Sequence, residues 1–205
     1  MLHTIAGIAL RLAGWETDLK QPPARKCVML AVPHTSNWDF VMFMLHKWYL
    51  KLPKLYWLGK HTLFEGRIGG KFFRAVGGLP VDRSKPGALV NELGMMMQHG
   101  EDFILLVAPE GTRYRSRSWK TGFYFIAREA GVPIVPSILD YGKKRTAFGD
   151  AIDPQMPLED IIEHLSTYYH PSMAKFPEHY TSPSISEKKA EAPAKTDAEP
   201  SHEAA

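Results

Sequence analysis

VMLAVPHTSNWDF, residues 28–40, decides how this chain is read. The apolar run Val28 to Val32 ends at Pro33, and His34, Ser36 and Asp39 follow within six positions. A continuous apolar run of this length reads as a strand buried on both faces. Ser36 and Asp39, three apart and just ahead of the apolar Phe40–Leu45, read as a helix start with an acidic capping partner. His34 then stands at the carboxyl end of a strand and Asp39 in the first turn of the next helix. In open α/β sheets that edge is where sites collect. With His34 still in the loop, the chain can fold back so that an imidazole nitrogen reaches the carboxylate. Chemically that pair suits a general base and its orienter. The same spacing also suits a plain helix cap beside an ordinary loop histidine, and this stretch alone does not choose between them.

Working outward, 205 residues fit one domain with a sizeable core. The single cysteine, Cys27, allows no disulfide within the chain and reads as a buried structural thiol. No segment has the roughly 18–20 uninterrupted apolar residues of a membrane span, and no signal peptide is visible. Leu2, Ile5, Ile8, Ala9 and Leu12 recur at helical spacing, so residues 1–15 are expected to hold a short amphipathic helix, which either packs on the domain or lies on a bilayer. Runs at 55–60, 77–83, 103–108 and 132–139 read as further strands, with Arg83 near the carboxyl end of the second and 145–152 as an edge strand. Helical patterns fill 40–51, 72–76, 86–99, 123–130 and 157–169; in the third of these Leu89, Val90, Leu93, Met96 and Met97 form the apolar stripe. Strand–helix alternation with buried runs predicts a single α/β domain, residues 1–181, built on a largely parallel mixed sheet flanked by helices. Residues 182–205 are polar and read as a disordered tail.

Charge is uneven. The tail takes three lysines and five acids of the chain's 25 basic and 22 acidic side chains, leaving 22 against 17 in residues 1–181. Between 41 and 90 nine Lys or Arg face two acids, interleaved with Phe43, Trp48, Tyr49, Tyr56, Trp57, Phe64, Phe72 and Phe73. Such a mixture suits the headgroup level of an anionic membrane; it also suits stacked single-stranded bases, or a core with a solvated rim. Beyond the 103–108 strand, Glu110, Gly111, Thr112 and Arg113 stand at the same sheet edge as His34. A guanidinium there can bind phosphate in bidentate fashion, and Gly111 lets backbone approach an anion.

Taken in order, these pieces resemble the glycerolipid acyltransferase family that acylates lysophosphatidic acid. His34, Ser36 and Asp39 match its H-x-S-x-x-D block, with the H-x4-D spacing. GGLPVDR (77–83), PEGTR (109–113) and VPIVP (132–136) match three further blocks, with Lys120 and Gly122 between the last two. Four ordered blocks are far more specific than any one alone. The resemblance implies an O-acyltransferase that moves a fatty acyl chain from acyl-coenzyme A or acyl-carrier protein to a lysophospholipid hydroxyl. His34 would be the general base and Asp39 its orienter, while Arg83, Glu110, Gly111, Thr112 and Arg113 would bind the acceptor. No metal and no cofactor beyond the acyl donor would be needed. The enzyme would work peripherally on the cytoplasmic side of a membrane, docked on an anionic surface.

Other readings set beside this one are acylation of a non-glycerol lysolipid such as lyso-ornithine lipid, and a non-catalytic lipid- or phosphate-binding membrane protein. A hydrolase lacks its G-x-S-x-G elbow here. Nucleic acid is not an expected partner, because the charge is modest and no recognised module appears.

Overall fold

The computed structural model describes residues 1–186 apart from 18, 53, 82–85 and 100. In chain order the elements are α1 (Leu2–Leu12), β1 (Lys26–Val32), α2 (Trp38–Tyr49), β2 (Leu55–Lys60), α3 (Gly69–Ala75), β3 (Gly78–Val81), α4 (Pro86–Gln98), β4 (Phe103–Val107), α5 (Gly122–Ala130), β5 (Ile134–Asp140), β6 (Arg145–Phe148) and α6 (Leu158–Ser166). The six strands form one sheet in the order β3-β2-β4-β1-β5-β6. Every neighbouring pair is parallel except β5 with β6, which is antiparallel and closes one edge. The expected α/β architecture is the observed one.

β1 shows why the central run had to be apolar throughout. Val28, Leu30 and Val32 point into one core, with Leu93 and Met97 of α4, Phe123 and Ala127 of α5, and Ile161 and Leu165 of α6. Cys27, Met29 and Ala31 point into the other, with Leu10 of α1 and Met42 and Phe43 of α2. Alternating side chains thus meet a helical layer on each face, as a parallel sheet requires. Cys27 is enclosed there, and burial pushes its thiol up to about 12, which keeps it protonated and inert.

Three expectations need correction. Helix α1 does pack on the domain, but through Ala6, Gly7 and Leu10 rather than the stripe picked out by spacing. Gly7 lies so close to the Tyr49 ring that an added Cβ would stand 3.0 Å from it. Leu2, Ile5, Ile8 and Leu12 are each more than half exposed. The helix is apolar nearly all round, and its small residues allowed the closer approach. Within α4, Met96 faces outward while Leu93 and Met97 are buried. The basic run of 41–90 is also thinner than its count implies. Lys47 is buried and donates to the carbonyls of Leu55 (2.8 Å) and Val76 (3.0 Å), while Phe43, Trp57 and Phe64 are core. Arg83 and Lys85 lie outside the described residues.

After α6 the chain returns across the sheet's carboxyl edge. Ser184 accepts the Trp119 N–H at 2.8 Å, and Ile185 packs against the α4–α6 core. Packing thus reaches a few residues into the stretch expected to be tail; residues 187–205 lie outside the described ones. Among the described residues no helix is long and apolar enough to cross a membrane.

Candidate active site

Parallel pairing gathers the site. Leu30 of β1 lies beside Val107 of β4, and Val32 beside Ile138 of β5. The loops that leave these three central strands therefore emerge side by side. They carry His34, Glu110 and Tyr141 respectively.

The stretch after β1 turns tightly into α2. The Ser36 side chain accepts the N–H of Trp38 at 3.2 Å, and the Asp39 carboxylate reaches back to the N–H groups of Thr35 and Ser36, each at 2.8 Å. This is the expected acidic partner at a helix start, with α2 beginning two residues later than Ser36. The same carboxylate oxygen, Oδ2, lies 3.1 Å from His34 Nδ1. Asp39 accepts only, so Nδ1 carries the proton and Nε2 is left with an acceptor lone pair. Asp39 is fully buried, while the His34 side chain is 25% exposed. The imidazole is thus anchored from below and open above. Of the two alternatives left open by the spacing, the geometry is compatible with both at once: the carboxylate that caps the helix start also contacts His34.

Glu110 is buried in the adjacent loop. Its Oε1 accepts the backbone N–H of His34 at 2.9 Å, tying the second loop to the first, and Oε2 is buried without a partner among the described residues. Burial pushes this carboxyl up to about 7, against the pull of the two backbone N–H donors and His34. Gly111 has a φ of +68°, a left-handed conformation that reverses the chain at this point, with the Lys120 side chain packed close beside it. Thr112 accepts the N–H of Tyr114 at 3.3 Å, and Arg113 is exposed on the outer side of the turn. Glu110 is therefore joined to His34, Gly111 and Thr112 shape the turn, and Arg113 reaches outward. Arg83 lies outside the described residues.

Two further contributors carry no motif. Tyr141, directly after β5, donates its hydroxyl to the other Asp39 oxygen, Oδ1, at 2.8 Å. The return segment crosses all three loops. The Phe176 N–H donates to Thr35 Oγ1 (3.3 Å), the Ser116 N–H to Thr181 Oγ1 (2.9 Å), the Trp119 indole to the Thr181 carbonyl (3.0 Å) and the Tyr141 N–H to the Met173 carbonyl (2.9 Å). Strand adjacency is the signal that nominates Tyr141. It needs the sheet order, which spacing along the chain does not contain.

The sequence pattern of the Acyltransferase family matches residues 17–140, which run from the approach to β1 to the end of β5. The 1-acyl-sn-glycerol-3-phosphate acyltransferase of Haemophilus influenzae is 26% identical over 184 residues, covering 80% of this chain and 75% of that protein. The enzyme of the same name from Streptococcus pneumoniae is 31% identical over 118 residues, covering 57% of this chain and 43% of that protein.

Proposed function

The chain belongs to the glycerolipid acyltransferase family, and from that premise we propose that it acylates the free hydroxyl of a lysophospholipid such as 1-acyl-glycerol-3-phosphate. The observation that carries the chemical assignment is the 3.1 Å contact between His34 Nδ1 and a fully buried Asp39, on an imidazole whose far side is open. The acceptor hydroxyl attacks the carbonyl carbon of an acyl thioester while His34 Nε2 takes its proton. The new carbon–oxygen bond forms, the carbon–sulfur bond breaks, and the same proton passes from His34 to the departing thiolate. Asp39 stabilises the imidazolium between those two transfers. The donor is acyl-coenzyme A or acyl-carrier protein, and the cycle balances without a metal or other cofactor.

Arg113 holds the acceptor phosphate through its planar fork, and Gly111 and Thr112 set the turn that presents it. Arg83 is given the same role by the family resemblance. The lysolipid acceptor and its diacyl product live in a bilayer, so the protein works docked on one. The exposed Leu2, Ile5, Ile8 and Leu12 of α1, with Arg11 beside them, suit insertion at an anionic surface.

The test is transfer of a radiolabelled acyl chain from acyl-coenzyme A and from acyl-carrier protein to a panel of lysolipids in anionic vesicles, wild type beside His34→Ala. Wild type is expected to form the diacyl product from phosphate-bearing acceptors, and His34→Ala to lose about 10²–10⁴ in rate. Transfer that survives in His34→Ala would remove the general-base assignment. Transfer only to lyso-ornithine lipid would remove the acceptor assignment. Binding of the protein to the same vesicles, unaffected by replacing Ile5 and Ile8 with Ser, would remove α1 as the docking face.

A further inference from the structure

Asp39 has an unusually full set of donors. One oxygen accepts from His34 Nδ1 and from the N–H groups of Thr35 and Ser36; the other accepts from Tyr141. A carboxylate offers about four lone-pair sites, two on each oxygen; Oδ2 is fully engaged by three donors, and Tyr141 is the donor on Oδ1. Three of the four come from the loop and helix that carry Asp39 itself. Only Tyr141 comes from elsewhere in the fold, 102 residues along the chain.

Tyr141 is itself held on three sides. Its N–H donates to the Met173 carbonyl of the return segment at 2.9 Å. The Trp15 ring, from the stretch that follows α1, meets its ring edge-on at 5.3 Å between centroids. The Lys175 ammonium lies 5.3 Å from its ring centre and 5.5 Å from that of Trp38. A cation over the ring face draws density from the phenol and makes its O–H a stronger donor. Burial and the nearby Asp39 charge raise the phenol above its ordinary range, so it remains a donor. A phenol locked in this way, with its one proton aimed at a buried carboxylate, is more than packing requires.

We infer that Tyr141 is a positioning residue of the catalytic site, which fixes the second Asp39 oxygen and, by sharing the carboxylate's charge, sets the proton affinity of His34. The sign follows from the chain of hydrogen bonds. Removing the phenol proton donor returns charge to Asp39, which then stabilises the imidazolium more and raises the His34 midpoint. A stronger donor at the same place lowers it. Among the described residues, the other ionisable groups placed around this pair are Glu110 from the loop after β4 and Lys175 from the return segment; Asp140, next to Tyr141 in the chain, has its carboxylate turned to the Lys143 N–H. Behind Trp15 stands the buried His46.

The kinetic consequence rests on the acyl-transfer reading, but the first measurement does not. In the full chain with ¹³C-labelled histidine, His34→Ala identifies the His34 signal among nine histidines. Its titration midpoint is then compared in wild type and Tyr141→Phe, which keeps every ring contact. The midpoint is expected to rise by about half a pH unit, roughly a threefold gain in proton affinity. Tyr168→Phe, whose hydroxyl faces Asp150 and His164 instead, should leave it unmoved. The same titration in a Glu110→Gln background removes the neighbouring carboxyl's own step. Fluorinated tyrosine at 141, a more acidic phenol, should move the midpoint downward; this probe stands in if Tyr141→Phe does not fold. Kinetically, Tyr141→Phe should lower kcat by about tenfold with KM unchanged. An unmoved or lowered midpoint in Tyr141→Phe, or an unmoved one with fluorotyrosine, would overturn the inference. So would a fall in kcat without any shift, because that assigns the effect to packing. A shifted midpoint in a protein that acylates no lysolipid would instead overturn the proposed function and leave Tyr141's role standing.

Discussion

Asp39 and Glu110 are buried carboxyl groups on the loops after two neighbouring parallel strands, β1 and β4, yet their surroundings differ sharply. Asp39 receives four hydrogen bonds, three of them to one oxygen. The Glu110 side chain receives the His34 N–H on one oxygen and keeps the other buried without a partner. Burial alone disfavours a charged carboxylate, and donors restore it. The Asp39 carboxyl is ringed by donors directly beneath an imidazole. At Glu110 desolvation wins, and its carboxyl is pushed up to about 7. One carboxyl group meets the His34 imidazole, and under the proposed function would serve proton transfer through its charge; the other clips two loops together through an acceptor that an uncharged group also supplies.

The sharpest way to break this comparison is to neutralise each group without changing its shape. Asp39→Asn keeps a carbonyl oxygen for the backbone donors but removes the charge, so kcat should fall by about 10²–10⁴ while the fold survives. Steady-state kinetics beside thermal unfolding checks this; a loss below tenfold would reduce Asp39 to a cap. Glu110→Gln should act in the opposite way, with small effects on kcat and a visible one on stability against pH. The folded protein binds the Glu110 proton more tightly than the unfolded chain does. That stabilisation is therefore complete below about pH 4.5 and lost as pH rises to about 7, amounting to roughly 3 kcal/mol. His46, whose buried imidazole is pushed down to about 4, contributes the reverse slope over an overlapping range. The readout is accordingly the difference in urea-unfolding free energy between wild type and Glu110→Gln at pH 5 and pH 8. A difference that does not change with pH would mean that Glu110 is ionised throughout.

How far this contrast is legible in the sequence depends on the distance over which each contact is made. His34 and Asp39 fall within one short stretch, and their types and spacing already imply the pairing. Glu110 could be recognised as part of a block, but its bond to the His34 N–H depends on the register of β1 against β4. Tyr141 offered no spacing signal, because its partner lies 102 residues away and only the strand order brings them together. Charge and apolar counts misled for a different reason, namely that they ignore direction. Lys47 belongs to a basic run by composition and to the interior by its place on α2, where two carbonyls hold its ammonium. The α1 stripe obeyed helical spacing, yet Ala6 and Gly7 allowed a closer approach to α2 than any larger side chain could.

Arg113 sharpens the comparison at its smaller end, because it stands three residues beyond Glu110 on the same loop. If Glu110 works only as a clip, the loop's chemical contribution must come from a side chain that faces solvent, and Arg113 is exposed there. Arg113→Ala should then raise KM for a phosphate-bearing lysolipid by about tenfold and leave kcat nearly unchanged, as loss of one charge-assisted contact would. For an acceptor without a phosphate the same variant should behave as wild type, which separates anion binding from damage to the turn. Equal effects on both acceptors would place Arg113 with Glu110 as a structural element. A fall in kcat alone would instead move it toward the reacting atoms, because binding that is uniform in ground and transition states changes only KM.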